Sequence, residues 1–138
     1  MNGPYWADDF GKLVLRLAVG GLMLLHGIHT IQHGQYMHLL EVNGLPKDLK
    51  YGSYVGEVVA PVLILAGVLS RLGSVAVMGT LAMAMPIYLA HPKAVLALNP
   101  WGGWAIEPKV LFFLGALALA LMEPGRLSLL RSQRWFLQ

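Results

Sequence analysis

His26, His29 and Glu57 sit inside runs of apolar residues, Arg16 lies one turn into the first such run, and His91 and Glu107 mark the edges of two others. An ionisable side chain within a membrane-spanning helix is costly, so each needs a partner, a water-filled cavity or a route to the interface. A histidine facing a carboxylate in such a setting can exchange a proton, and either group can hydrogen-bond a small ligand. His29 follows His26 by three residues and shares its helix face. His26 is expected roughly 7–8 Å below the end of its helix near Ile31, and Glu57 about 9 Å below the same level on the following helix. Pro61 has no N–H to offer the carbonyl four residues earlier, which is that of Glu57, so carboxylate and freed carbonyl are expected at one level. His26 and Glu57 are therefore the expected catalytic, proton-handling pair. His29, His91, Glu107 and Arg16 are the further ligand-binding residues, with Tyr88, Trp101 and Trp104 at the rim.

Plainer readings accompany these. An intramembrane His and Glu can form an interhelical hydrogen bond that only fixes packing, worth about 1 kcal/mol. Arg16 can be an interfacial anchor that snorkels to the near surface, or pair with an embedded acid. His26, His29 and His33 share a face, but a structural zinc site needs four ligands in closed geometry and no second cluster matches them. A haem held between His26 and His91 is conceivable in a bundle; neither haem nor metal is the expected cofactor. The chain has no cysteine, which removes disulfide exchange and thiolate ligation by this chain alone. A redox role would need a bound cofactor, a quinone or a partner protein. No phosphate-binding loop, dinucleotide fingerprint, nucleophile elbow or HExxH occurs.

Positioning these groups falls to the apolar segments. Only 12% of the 138 residues are charged and 57% are hydrophobic, with a mean hydropathy of +0.61. Soluble domains carry about 25% charged residues, so this is the composition of an integral membrane chain. The pattern predicts one all-α domain over residues 1–138, an antiparallel up-down four-helix bundle. Its helices are expected at about 12–31, 52–69, 72–90 and 107–123, with a loop over 33–50 and a very short turn at Ser70-Arg71. The first run is too long for a cleavable signal. The tail RLSLLRSQRWFLQ alternates basic and apolar residues and is expected to lie at the membrane surface. The net charge of +3 fits basic residues facing anionic lipid rather than nucleic acid. The Lys/Arg distribution favours both termini in the cytoplasm; the expected location is a bacterial or archaeal cytoplasmic membrane.

Three stretches together resemble one family: LVLRLAVGGLMLLHGIHTI, YGSYVGEVVAPVLILAGVLSRLGSVAV and EPKVLFFLGALALALMEPGRLSL. As an ordered set they resemble the DoxX family of small four-helix membrane proteins over roughly Lys12 to Leu130. By position the resemblance points to Arg16, His26, Gly27, Glu57, Arg71 and Gly125. Family members often carry Lys in an HGxxK piece where this chain has Thr30. The family is named for a membrane subunit associated with thiosulfate:quinone oxidoreductase, so the resemblance implies redox traffic at the membrane. The expected function is a membrane subunit of a quinone-linked oxidoreductase, not catalytic alone, with quinone as cofactor and membrane or soluble redox subunits as partners. The alternative is a non-catalytic accessory subunit that anchors a larger complex. A transporter is less favoured, since no internal repeat is visible.

Overall fold

A computed structural model describes residues 5–123 and 125–129. Its elements are helical: α1 Tyr5–His33, α2 Gln35–Val42, α3 Leu49–Ala66, α4 Ser70–Leu89, α5 Pro92–Val95 and α6 Glu107–Leu121. Among the described residues there is no strand beyond a single bridge between Leu98 and Trp104. Helices α1, α3 and α4 are long and apolar enough to cross a bilayer. The 15 residues of α6 rise only about 22 Å, short of a hydrocarbon core of about 30 Å. Large apolar residues such as Leu25, Val62, Leu72, Val75 and Leu111 face outward. That pattern suits lipid as the surrounding medium and would be an aggregation liability in water.

α1 packs on α3, α3 on α4, α4 on α6, and α6 returns to α1. The buried cluster between them takes Val19 and Met23 from α1, Ala60 and Ile64 from α3, Val77 from α4, and Ala116 and Leu119 from α6. Small residues set the approach distances. A Cβ at Gly20 would lie 3.0 Å from the Pro61 carbonyl oxygen, and one at Gly73 would lie 2.9 Å from that of Ala60. Gly21 and Gly79 have nothing within 4 Å of such a Cβ and make no such contact.

Several boundaries differ from the sequence expectation. α1 begins at Tyr5 rather than near Lys12, so the polar lead is helical, with Lys12 bound to Asp8 at 2.7 Å one turn earlier. The expected loop over 33–50 contains α2, because Gly34 in the left-handed conformation ends α1 and the chain then folds Leu40 into complete burial. α3 ends at Ala66 rather than Leu69, and Ser70-Arg71 forms the first turn of α4 instead of the connection. Residues 125–129 dock against α1 and α3, with the Arg126 N–H donating to Asp9 at 2.9 Å. The rest of the predicted surface tail, 130–138, lies outside the described residues.

The end of α3 explains Arg16. The last four carbonyls of a helix lack intrahelical donors, and in a membrane each needs one from elsewhere. The Val68 N–H bonds Leu63 O at 3.0 Å and the Gly67 N–H bonds Ile64 O at 3.1 Å, the pattern of a glycine-terminated helix. The Arg16 Nε donates to Ile64 O at 2.9 Å and its Nη2 to Leu65 O at 2.7 Å. The Leu129 N–H reaches Ala66 O at 3.1 Å, and Arg16 Nη1 donates to Leu127 O at 2.9 Å. All four carbonyls are thus satisfied, and a cation sits at the negative end of the α3 dipole. Arg16 is only 1% exposed. It does not snorkel, because the peptide oxygens of α3 and Leu127 replace the water it would otherwise seek.

Gly67 is bound into the same structure. Its φ of +71° is strained for any side chain, and a Cβ there would lie 2.4 Å from Arg16 Nη2. Gly67→Ala is therefore expected to destabilise the protein by roughly 2–3 kcal/mol, from backbone strain plus displacement of the guanidinium. Thermal unfolding in detergent checks this; an unchanged midpoint would remove the steric argument.

Candidate functional site

Glu57 lies in a stretch of α3, Val55–Val59, where the helix widens to π-type hydrogen bonding. The sequence shows why. Pro61 cannot serve the Glu57 carbonyl, and the ladder re-registers so that the Ala60 N–H bonds Val55 O, five residues back. The carbonyl of Glu57 instead lies against α1, where a Cβ at Gly27 would be 2.2 Å from it. On the other flank a Cβ at Gly56 would be 1.6 Å from Thr80 Oγ1 of α4. Glycines on both sides of Glu57 thus let α1 and α4 close on it at backbone distance.

Glu57 lines a cavity of about 330 Å³ together with residues of α1, α3, α4 and α6 and Leu39 of α2. That volume is at the lower end of ligand pockets. The polar lining is His26 and Thr30 of α1, Glu57 of α3, Thr80 and Tyr88 of α4, and Lys109 of α6; Met23, Leu81 and Phe112 supply apolar walls. Glu57 is 8% exposed and accepts a hydrogen bond from the hydroxyl of buried Ser53, one turn before it. Its Oε2 is buried without a hydrogen-bond partner among the described residues. An unpaired carboxylate oxygen of this kind calls for an explanation, because buried polar atoms are almost always satisfied.

His26 and Lys109 are both near enough to act on Glu57 electrostatically, yet neither forms a direct ion pair with it among the described residues. The Lys109 ammonium lies 4.7 Å from the centre of the Tyr88 ring, which holds it at the cavity wall. Thr30 and Thr80 turn their hydroxyls to helix carbonyls, Thr30 to His26 O at 2.9 Å and Thr80 to Ala76 O at 3.1 Å. The matched depths expected for His26 and Glu57 survive the shifted boundaries, because the facing ends of α1 and α3 both extend by two or three residues. The arrangement gathers a carboxylate, an imidazole, a phenol and an ammonium around one cavity with apolar walls.

The other expected site residues are elsewhere. Arg16 is at the far end of α3, about 13 Å along the helix from Glu57. His29 is exposed and stacks on His33, ring centres 4.1 Å apart, and the His33 Nδ1 bonds the His29 carbonyl at 2.9 Å. His91 is exposed beyond the end of α4. Glu107 lines a separate groove with Asn99 and Leu22. Trp101 is exposed and Trp104 donates its indole N–H to Val95 O, in a loop organised by Asn99, which accepts from the N–H groups of Trp101 and Gly103. Of the three expected rim aromatics only Tyr88 lines the cavity. Lys109, Thr80 and Ser53 were not singled out in the sequence. Ser53 could have been found from its spacing of four to Glu57 on one helix face, whereas no sequence signal brings Lys109 to Glu57.

Among the described residues no three His, Asp or Glu side chains gather as metal ligands. Comparison with curated proteins and with solved structures finds no match. The family comparison does. The DoxX family model matches residues 11–92, a span that includes Arg16, His26, Gly27, Glu57 and Thr80 and stops before Lys109. A match over more than half the chain, on the segment that builds both the Arg16 clamp and three walls of the cavity, shows that this integral membrane protein belongs to the DoxX family.

Proposed function

We propose that this chain is the membrane subunit of a quinone-linked oxidoreductase and that the cavity beside Glu57 receives the quinone ring. The observation that carries this reading is Glu57, whose Oε2 is buried without a hydrogen-bond partner among the described residues and which lines a cavity together with His26, Tyr88 and Lys109. The fit rests on chemistry. A quinone has two carbonyl oxygens on a flat apolar ring, and the cavity offers donors set between Met23, Leu81 and Phe112. When bound, the quinone supplies a two-electron, two-proton acceptor. The residues of the chain handle the rest. Lys109 and His26 orient the ring by hydrogen bonds, Glu57 holds a proton at Oε2, and Ser53 fixes the carboxylate rotamer through its other oxygen. With no cysteine in the chain, electrons would come from a partner subunit. In this reading α6 completes an antiparallel four-helix bundle in a cytoplasmic membrane, with both termini on the cytoplasmic side.

The test uses the complex purified from native membranes in mild detergent. Glu57→Gln keeps the side chain's shape but cannot hold the exchangeable proton, and it should lower quinone-linked turnover by about 100-fold or more. His26→Ala should lower it less, since His26 sits at the exposed side of the cavity. Normal turnover in both variants would overturn the mechanism. An accessory role is favoured by the Arg16 clamp and the glycine contacts, which are packing devices. It would show as a complex that falls apart without this chain yet tolerates both substitutions.

A further inference from the structure

The connection that leads into α6 is apolar and ordered at once. From 94 to 106 it carries no charged residue. Leu98 and Trp104 pair in a short antiparallel bridge, and Gly102, in the left-handed conformation, turns the chain between them. The turn closes on Asn99, whose Oδ1 accepts from the N–H groups of Trp101 and Gly103 while its carbonyl accepts from that of Gly102. The Asn99 N–H donates to Gly103 O and the Ala105 N–H to Ala97 O. Irregular backbone close to hydrocarbon needs internal partners of this kind, because water is scarce there. The side chains at the edge of the hairpin point the same way. Leu96, Leu98 and Trp101 are 76%, 70% and 93% exposed. Facing water, so open an apolar edge would be a liability.

The depth of the hairpin follows from the helices beside it. A Cβ at Gly115 of α6 would lie 2.6 Å from Val19 of α1, and one at Gly125, past the end of α6, would lie 3.3 Å from Asp9 and from Lys12. Traced backwards from Gly115, α6 therefore climbs along α1 towards Ile31. It reaches Glu107 after about 12 Å, whereas the exposed large apolar residues of α1 continue from Val19 to Ile31 over about 18 Å. α6 thus begins about 6 Å beneath the level where the lipid-facing stripe of α1 ends. The hairpin occupies that step. Asn99 shares a groove with Leu22 and Leu111, both exposed on the outer surface, so the hairpin lies along the helices at that step. We infer that residues 96–106 form a membrane-docking hairpin, with Leu96, Leu98 and Trp101 inserted at the boundary between headgroups and acyl chains. Tryptophan favours that boundary, and aliphatic side chains favour the region just beneath it. The occupant is lipid, because the helices on either side present lipid-facing residues at the same depth. The hairpin would seat α6, which is too short to cross the bilayer alone. This inference is independent of the quinone reading.

The chain has no cysteine, so single-cysteine variants of the full-length protein each report one position. Leu98→Cys and Trp101→Cys are placed in phosphatidylcholine nanodiscs. Lys47→Cys, on the exposed connection between α2 and α3, is the water-facing standard, and Leu25→Cys, exposed on α1, is the lipid-facing one. One readout is the rate of reaction with a charged, membrane-impermeant maleimide. The other is quenching of an attached fluorophore by lipids brominated on the upper acyl chain. The reacting species is the thiolate, which an apolar setting disfavours, so both hairpin variants should react about tenfold or more slower than Lys47→Cys. Their fluorophores should be quenched like that at Leu25→Cys. Leu98→Cys keeps Trp101 in place and carries the test if Trp101→Cys misfolds, with the thermal midpoint of each variant as the check. Reaction as fast as at Lys47→Cys, without quenching, would place the hairpin in water and overturn the inference. Slow reaction without quenching would mean that protein, a second copy of this chain, covers the hairpin, and would overturn it equally.

Discussion

Arg16→Ala is expected to destabilise the protein by roughly 2–6 kcal/mol and to release the segment that follows α6. The side chain satisfies three backbone oxygens, Ile64 O, Leu65 O and Leu127 O. Ile64 O keeps a second donor in the Gly67 N–H, so two acceptors are stranded, each costing about 1–3 kcal/mol when buried. The medium sharpens the effect, since no water within the bilayer replaces the lost donors. Arg16→Met, which keeps most of the side-chain volume, should lose nearly as much, separating hydrogen bonding from packing. Arg16→Lys should recover only part, because a single ammonium cannot reproduce a planar fork spread over α3 and Leu127. The measurement is thermal unfolding in detergent, followed by tryptophan fluorescence. Quinone affinity in the folded fraction should hardly change, as Glu57 lies about 13 Å along α3. A melting curve indistinguishable from that of the natural protein would show that the clamp contributes nothing.

Gly27→Ala should have the second large effect, through a single methyl group. Its Cβ would lie 2.2 Å from the Glu57 carbonyl oxygen and 2.7 Å from the carbonyl carbon. Both are backbone atoms of a packed helix, so no rotamer change relieves the overlap and α1 must move away from α3. Overpacking of this kind costs about 1–3 kcal/mol, and at backbone contacts the upper part of that range is expected. The same movement shifts the wall on which His26 and Thr30 stand, so quinone affinity should fall together with stability. Gly21→Ala is the internal control. It lies on the same helix with nothing within 4 Å, and removing a helical glycine there should be neutral or stabilising by up to about 1 kcal/mol. Equal melting temperatures for the two variants would contradict the close approach of α1 and α3 at Glu57.

Much of this was legible in the chain itself. Long apolar runs can only be lipid-facing or core helices, so the membrane class and the positions of α1, α3 and α4 follow from composition and length. The burial of Glu57 was foreshadowed by a carboxylate inside an apolar run, whereas His26, read from the same kind of run, stays exposed. Pro61 announced a disturbed hydrogen-bond ladder at Glu57. The form of that disturbance, a π-type widening, depends on how the helix is held by its neighbours.

The tertiary structure decided the partners. Arg16 reads as a snorkelling residue because a sequence displays its distance from the membrane surface and conceals the end of another helix beside it. Its acceptors are peptide oxygens 48, 49 and 111 positions away, which carry no residue-type signal. His91 and Glu107 read as site residues because helix ends on one side share a depth, but depth does not specify azimuth. Rotation about each helix axis turns Glu107 to a different groove and brings Lys109, two residues later, to the cavity. Composition and periodicity determine which segments enter the membrane and how deep each charge lies. Which charges face one another is set by helix rotation and by close approach at glycines such as Gly27 and Gly56, and these arise only when all the helices pack together.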